Sequence, residues 1–193
     1  MTFKILPKNA VELSKLLCRE SIKTGDIVVD ATMGNGNDTI FLCTLVGSSG
    51  KVFAFDIQEQ AVKETKKRLE KNNFSNTAEL ILDSHSKMDK YVNNCKVKLV
   101  LFNLGYLPGG NHSVTTKVTS TIEALKAAIN ILDINGLIIL VIYPGHEEGA
   151  KEKDALEQYV GQLDQKIYNV MRFSFMNQVN NPPLVISIEK LLE

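Results

Sequence analysis

The chain has 193 residues, 44% hydrophobic and 23% charged, the make-up of one soluble globular domain with room for a sizeable core. Lysine plus arginine equals aspartate plus glutamate, 22 each, which argues against a general duplex binder and leaves a local basic patch for a small RNA. Three scattered cysteines, Cys18, Cys43 and Cys95, form no C-x-x-C pair; a disulfide framework and a zinc site are excluded, and a reducing cytoplasmic location is expected.

The first seven residues, Met1 to Pro7, carry no signal-peptide h-region. Ala10 to Ser21 then reads as an amphipathic helix with Val11, Leu13, Leu16 and Leu17 apolar. Ile27–Asp30 is the first strand, and Asp38 to Leu45 a short helix stopped by Gly47. Val52–Asp56 is the second strand. The helix from Gln58 to Lys71 carries Lys63, Lys66, Lys67, Arg68 and Lys71 as a solvated face. Ala78–Leu82 is the third strand, followed by a helix from Ser84 to Val92. Val97 to Phe102 is apolar except for Lys98 before the strand ends in Asn103, so it is expected to be covered on both faces, as in a parallel sheet. A helix from Thr119 to Leu132 ends at Asn135-Gly136. Leu137 to Tyr143, the longest apolar run, suits a central strand and is far too short to cross a bilayer. Lys151 to Leu163 is a helix, and Lys166–Phe175 and Leu184–Ile188 are the last strands.

This alternation predicts an α/β, doubly wound Rossmann-like sheet in a single domain, residues 1–193. In such sheets ligands bind beyond the carboxyl ends of the strands, near the switch in strand order. The polar residues that end strands here are Asp30, Asp56, Asp83, Asn103 and Tyr143.

The turn Asp30-Ala31-Thr32-Met33-Gly34-Asn35-Gly36-Asn37-Asp38-Thr39 selects among cofactors. No lysine follows Gly36, so it is not a P-loop; Thr39 occupies the third glycine position of a dinucleotide fingerprint. S-adenosylmethionine, with a sulfonium, an ammonium and a carboxylate but no phosphate, fits better. Asp30 and Asp38 suit its positive end, directly or through water, and amides near Gly34 and Gly36 its carboxylate. Asp56, 20 residues after Gly36, suits the ribose hydroxyls, with Gln58 adding a hydrogen bond. Asp83, Ser84 and His85 lie where an adenine edge is expected. Each residue also has a plain structural reading: Asp38 as a helix cap, Asp56 as a loop carboxylate, His85 as a first-turn residue.

After the fourth strand comes Asn103-Leu104-Gly105-Tyr106-Leu107-Pro108-Gly109-Gly110. Its outer positions resemble the [DN]-P-P-[YF] of amino-methylating enzymes, with Leu104 and Gly105 in place of the prolines. In that class the amide oxygen accepts from the target amine and the aromatic ring stacks on a planar substrate, roles that would fall to Asn103 and Tyr106. The whole set of motifs, D-A-T-M-G-N-G-x-D-T, F-A-F-D-I-Q, F-N-L-G-Y-L-P-G-G, Y-P-G-H-x-E-G and N-Q-x-N-x-P-P, resembles the rRNA-methylase family from Ile5 to Glu189. The resemblance implies a class I methyltransferase fold, a seven-stranded, mostly parallel sheet with the last strand antiparallel. It also implies cofactor contacts at Asn35, Asn37 or Asp38, Asp56, Gln58, Ser84 and His85. Characterised members of the family methylate tRNA, converting 5-aminomethyl-2-thiouridine at the wobble position to the 5-methylaminomethyl form.

The chemistry so implied is an in-line displacement by an exocyclic amine, with no covalent enzyme intermediate. Asn103 orients the amine but is no base. His146 is the expected proton acceptor or relay, with bulk water or Glu147 and Glu148 as alternatives. An anticodon stem-loop offers splayed bases for stacking. Asn111, His112, Thr115 and Thr116, facing Asn177, Gln178 and Asn180, are expected RNA contacts, and Lys4, Lys8, Lys117 and Lys151 the loose basic set. A homodimer is the plausible assembly. Two rivals remain: a methyltransferase for ribosomal RNA or a small amine, which shares every cofactor residue, and a non-catalytic nucleotide-binding protein, which Asn103→Ala separates from an enzyme.

Overall fold

The structure, a computed structural model, describes residues 6–92, 95–105 and 116–192. Tyr106, Asn111, His112 and Thr115 lie outside the described residues. The elements in order are α1 (Ala10–Ser21), β1 (Ile27–Asp30), α2 (Asn37–Val46), β2 (Lys51–Asp56), α3 (Glu59–Lys71), β3 (Ala78–Leu82), a 3-10 turn (His85–Lys87) running into α4 (Met88–Tyr91), β4 (Val97–Asn103), α5 (Val118–Ile131), β5 (Leu132–Ile142), α6 (Glu147–Val160), β6 (Tyr168–Phe173) and β7 (Leu184–Lys190).

The strands form one seven-stranded sheet in the order β3-β2-β1-β4-β5-β7-β6. β1 to β5 run parallel, and β7 is antiparallel to both β5 and β6. The order reverses between β1 and β4, so a crevice opens there, beyond the carboxyl ends of these strands. Alternation within the strands splits the core in two. Val29, Phe53, Phe55, Val100, Phe102, Ile138 and Leu140 join Ala124, Leu125 and Leu156 from α5 and α6. Val28, Val52, Leu99, Leu101, Ile139 and Val141 join Cys18, Leu42, Cys43 and Leu69 from α1, α2 and α3. Both faces are covered, which is why β4 and β5 read as near-continuous apolar runs.

Two boundaries differ from the sequence expectation in ways that matter. The helix α6 begins at Glu147, four residues before Lys151, because His146 caps it: its Nδ1 accepts from Gly149 N–H at 3.0 Å. The strand β5 begins at Leu132, directly after α5, rather than beyond Asn135-Gly136. Leu132 is buried against Val97, and a register shift between Val97 and Leu99 absorbs the intervening residues, with Asn135 at φ 58°. The lysine-rich face of α3 is exposed as expected. Among the described residues, no helix is long and apolar enough to cross a membrane, and no cluster of acidic, histidine and cysteine side chains is arranged to hold a metal ion.

Candidate active site

One cleft of about 1310 Å³ lies at the switch point, lined by the ends of β1 to β5 and by the β6–β7 connection. Small-molecule pockets run to roughly 300–1,000 Å³, so this one has room for a cofactor and part of a second substrate.

Its floor is the turn between β1 and α2. Met33 N–H donates to Phe55 O, Gly36 N–H to Met33 O, and Gly34 N–H to Asp56 Oδ2 at 2.9 Å. Gly34 and Gly36 have φ of 51° and 77°, a region that favours glycine. Gly36 has a second constraint, since a Cβ there would lie 2.7 Å from Thr65 Oγ1 on α3. The same Thr65 hydroxyl donates to Gly34 O at 3.1 Å. The amides of Gly34 and Gly36 are thus spent inside the protein, and Gly36 does not line the cleft. The amides near these glycines that are expected to approach a cofactor carboxylate are therefore not those of Gly34 and Gly36 themselves.

Asp30 also departs from expectation. It is 1% exposed and absent from the cleft wall. Its Oδ1 accepts from Thr32 N–H at 3.1 Å and its Oδ2 from Thr39 Oγ1 at 2.7 Å. Burial, reinforced by the charge of Asp38, pushes its carboxyl up to about 7. Asp30 therefore staples the end of β1 to the first turn of α2, and cannot touch the positive end of a cofactor directly. Thr39, read in the sequence only as a missing glycine, is its partner.

The remaining cofactor candidates line the cleft: Gly34, Asn35, Asn37, Asp38, Asp56, Gln58, Asp83, Ser84 and His85. Asp56 is held by one amide on each oxygen, Gly34 N–H on Oδ2 and Gln58 N–H on Oδ1, both at 2.9 Å. Carboxylate oxygens take more than one donor, so Asp56 stays able to receive a diol. Asn37 is anchored through its Oδ1 by Arg68 from α3. Asp83 accepts from Ser84 N–H and Lys87 Nζ on Oδ1 and from Tyr91 Oη on Oδ2. These bonds, the Lys87 bond foremost, hold its carboxyl down at about 2. Its work is to fix the turn that presents Ser84 and His85. The His85 ring lies edge-on to Phe102, its Nδ1 3.0 Å from Ala31 O. A carbonyl only accepts, so Nδ1 carries the hydrogen and Nε2 the lone pair. Burial pushes the imidazole below the ordinary histidine value, so the ring is neutral at pH 7.

Asn103 closes the other wall. Its N–H donates to Thr32 Oγ1 at 2.7 Å, and Leu104 N–H donates to Val141 O at 2.9 Å. Its Nδ2 donates to Asp38 Oδ2 at 3.0 Å, while Asp38 Oδ1 lies 3.8 Å from Lys15 Nζ. A carboxylate accepts and does not donate; Asp38 therefore fixes which way the Asn103 amide turns and leaves Oδ1 as its acceptor end. Thr32 lies inside the D-A-T-M-G-N-G motif and Lys15 on α1, but nothing in the sequence marks either as an anchor of Asn103 or Asp38. Tyr143 lines the same wall, its phenol raised by burial and by Asp38.

His146 also lines the cleft, but the lone pair on Nδ1 is taken by Gly149 N–H. In the neutral ring Nε2 then bears the hydrogen, so His146 is poorly placed to accept a proton. The cap over the start of α6 is the reason. Among the expected RNA contacts, Thr116, Lys117, Gln178 and Asn180 line the cleft, whereas Asn177 does not. Lys151, on the exposed face of α6, is paired with Glu147 and Glu148 at 2.8 and 3.0 Å. Cys18 and Cys43 are buried thiols pushed up to about 12 by burial, consistent with chemistry that uses no cysteine nucleophile.

Comparison with known proteins converges on one family. The family model described as "Putative rRNA methylase" matches residues 52–189. A chloroplastic tRNA (mnm(5)s(2)U34)-methyltransferase of Arabidopsis thaliana is 39% identical over 192 residues, covering 95% of this chain and 70% of the relative. A Clostridium thermocellum crystal structure described as a "putative rRNA-methylase" matches with a TM-score of 0.94 at 46% identity, covering 97% of this chain and 100% of that one. A Streptococcus mutans crystal structure described as "a putative methyltransferase" in complex with SAH (S-adenosylhomocysteine) matches with a TM-score of 0.87 at 41% identity, covering 96% of this chain and 100% of that one. With the 3-2-1-4-5-7-6 sheet and the cleft at its switch point, the chain belongs to the rRNA-methylase family, as a class I S-adenosylmethionine-dependent methyltransferase.

Proposed function

We propose that this protein methylates the exocyclic amine of 5-aminomethyl-(2-thio)uridine at the wobble position of tRNA, giving the 5-methylaminomethyl form. The observation that carries the reading is the Asp38–Asn103 contact at 3.0 Å, which fixes the amide of a residue lining the same cleft as Asp56, Ser84 and His85 and leaves its oxygen as an acceptor. An acceptor fixed in this way suits an amine, which must offer N–H to the protein and its lone pair to the methyl group. The identity to a relative named for this wobble nucleoside supports the choice of RNA over a small amine.

Once bound, S-adenosylmethionine supplies an electrophilic methyl on a sulfonium. Asp56 and Gln58 hold the ribose, and the Ser84–His85 turn takes the adenine. His85 Nε2, as a neutral acceptor, is suited to the exocyclic amino group. Asp38 bears on the positive end directly, and Asp30 only through the loop it staples. Asn103 Oδ1 accepts one N–H of the target amine and so aims its lone pair. The proton released on alkylation passes to water at the open cleft, since His146 Nδ1 is occupied. Much of the rate then comes from holding two reactants in line. The role of Tyr106 as a stacking platform for the wobble base belongs to the same proposal.

The test is direct. Purified protein and isotopically labelled cofactor are incubated with tRNA from cells lacking the enzyme, and nucleosides are resolved by mass. The expected result is one added methyl on aminomethyl-thiouridine; label in ribosomal RNA alone would reject the assignment.

A further inference from the structure

Glu152 is a buried carboxylate that neither cofactor binding nor amine binding uses. It lies on α6 and is 3% exposed. Its Oε1 accepts from Thr121 Oγ1 of α5 at 2.6 Å, and its Oε2 from Thr116 Oγ1 at 3.0 Å. A hydroxyl has one proton to give. Having given it to Glu152, the Thr116 oxygen offers only lone pairs, and one of them accepts Gly105 N–H at 3.1 Å. Thr116 N–H returns a bond to Gly105 O at 3.1 Å. Gly105 stands two residues after Asn103, at φ 133°, where another residue would be strained.

We propose that Glu152 is a positioning residue of this methyltransferase: through Thr116 it pins the Asn103–Gly105 backbone against α6 and so keeps the Asn103 amide aimed into the cleft. The inference rests on the role proposed for Asn103. Packing alone does not require this carboxylate. Leu125, Ala128 and Leu156 already join α5 and α6 in one apolar cluster, and a buried carboxyl costs free energy unless it is fully bonded. Its two bonds go to the two threonines that flank the start of α5, and one of them is shared with the strand end that carries Asn103. Burial raises the Glu152 carboxyl above the ordinary glutamate value. His146 and Glu148 are the charged or titratable neighbours on its own helix segment.

The experiment uses the full chain with Glu152→Gln, Thr116→Val and the double variant. Glutamine keeps the shape but cannot accept from both hydroxyls through equivalent oxygens; valine keeps the shape of threonine without the hydroxyl. Each single variant is expected to lower kcat about tenfold, as a small misplacement of a reacting group does, with SAH affinity by calorimetry unchanged. The double variant is expected to be no worse than the worse single one, because both act through one relay. Exchange of the Gly105 amide with solvent, read by NMR without any RNA, is expected to quicken in every variant. Wild-type exchange at Gly105 in Glu152→Gln and Thr116→Val overturns the inference whatever the RNA assay gives, and so do additive losses in kcat. Failure of the wild-type protein to methylate tRNA overturns the substrate assignment alone, since the exchange readout still decides whether Glu152 holds Gly105. Should Glu152→Gln fail to fold, Thr116→Val carries the test.

Discussion

The two halves of the cleft are built differently. On the cofactor side, polar groups come from the ends of neighbouring strands and lean largely on backbone, Asp56 on the amides of Gly34 and Gln58 and His85 on the carbonyl of Ala31, with side chains helping at Asp83 (Lys87, Tyr91) and Asn37 (Arg68). On the acceptor side, the groups are fixed by side chains distant in sequence. Asn103 depends on Asp38 and Thr32, and Gly105 on Thr116 and Glu152. The first kind of site tolerates loss of a single side chain, because backbone amides remain in place. The second kind is a relay, in which loss of one member leaves its neighbour unaimed.

The largest effect expected from this contrast is at Asn103. Asn103→Ala should lower kcat on the order of 100-fold, the cost of losing alignment of a reacting group, with SAH affinity within about twofold by calorimetry. Unchanged methylation would remove Asn103 from catalysis. Next is Asp56→Ala, which strips the cofactor side of a charged acceptor. Hydrogen bonds to charged groups contribute about 1.5–3 kcal/mol, so SAH binding should weaken about 10- to 100-fold, while single-turnover methyl transfer at saturating cofactor stays near wild type. A fall in that rate as large as the fall in affinity would show that the halves are not separable.

Asp38 stands where they meet, and its variant sharpens the boundary. Asp38→Ala should cut kcat about tenfold by releasing the Asn103 amide, and shift SAH affinity by no more than about threefold. An affinity loss exceeding the loss in kcat would place Asp38 on the cofactor side.

The same contrast explains what the sequence revealed. Strand ends are legible because each follows a run of apolar residues, so Asp56, Ser84, His85 and Asn103 stand out in the sequence, together with the helix–strand alternation that orders them. The glycine turn was legible in kind but misassigned in detail. Of the amides near Gly34 and Gly36, those of the two glycines themselves are bonded within the protein, and Asp30, expected at the ligand directly or through water, is turned onto Thr39, which removes the direct contact. A buried carboxylate and an exposed one look alike in one dimension. Thr32, Lys15, Thr116 and Glu152 escaped as functional anchors because their partners are far away along the chain, 71 residues for Thr32 and Asn103 and 36 for Thr116 and Glu152. His146 is singled out by its motif, whereas its capping of α6 through Nδ1 is seen only in the fold. The helix start itself was signalled, since His146 stands just before Glu147-Glu148, where acidic residues favour one.

The smallest effect is on stability and concerns Asp30, the acid that turned inward. Its folded carboxyl sits at about 7 against an ordinary value of 3.8. Between these values the folded protein binds more protons at this site than the unfolded chain, so stability falls as pH rises. The contribution is fully present below about pH 4 and is lost as pH passes through about 7, with a slope approaching about 1.4 kcal/mol per pH unit for a single group. Asp30→Asn abolishes this titration and keeps an acceptor for Thr39. Urea unfolding of both proteins at fixed ionic strength should therefore give a wild-type minus variant difference that declines from pH 4 to pH 7. A flat difference would mean that Asp30 stays ionised in the folded state, held so by Thr32 and Thr39. It would then place a second negative charge beneath the loop, and Asp30 would rejoin the cofactor side through its field, although its oxygens never reach the cleft.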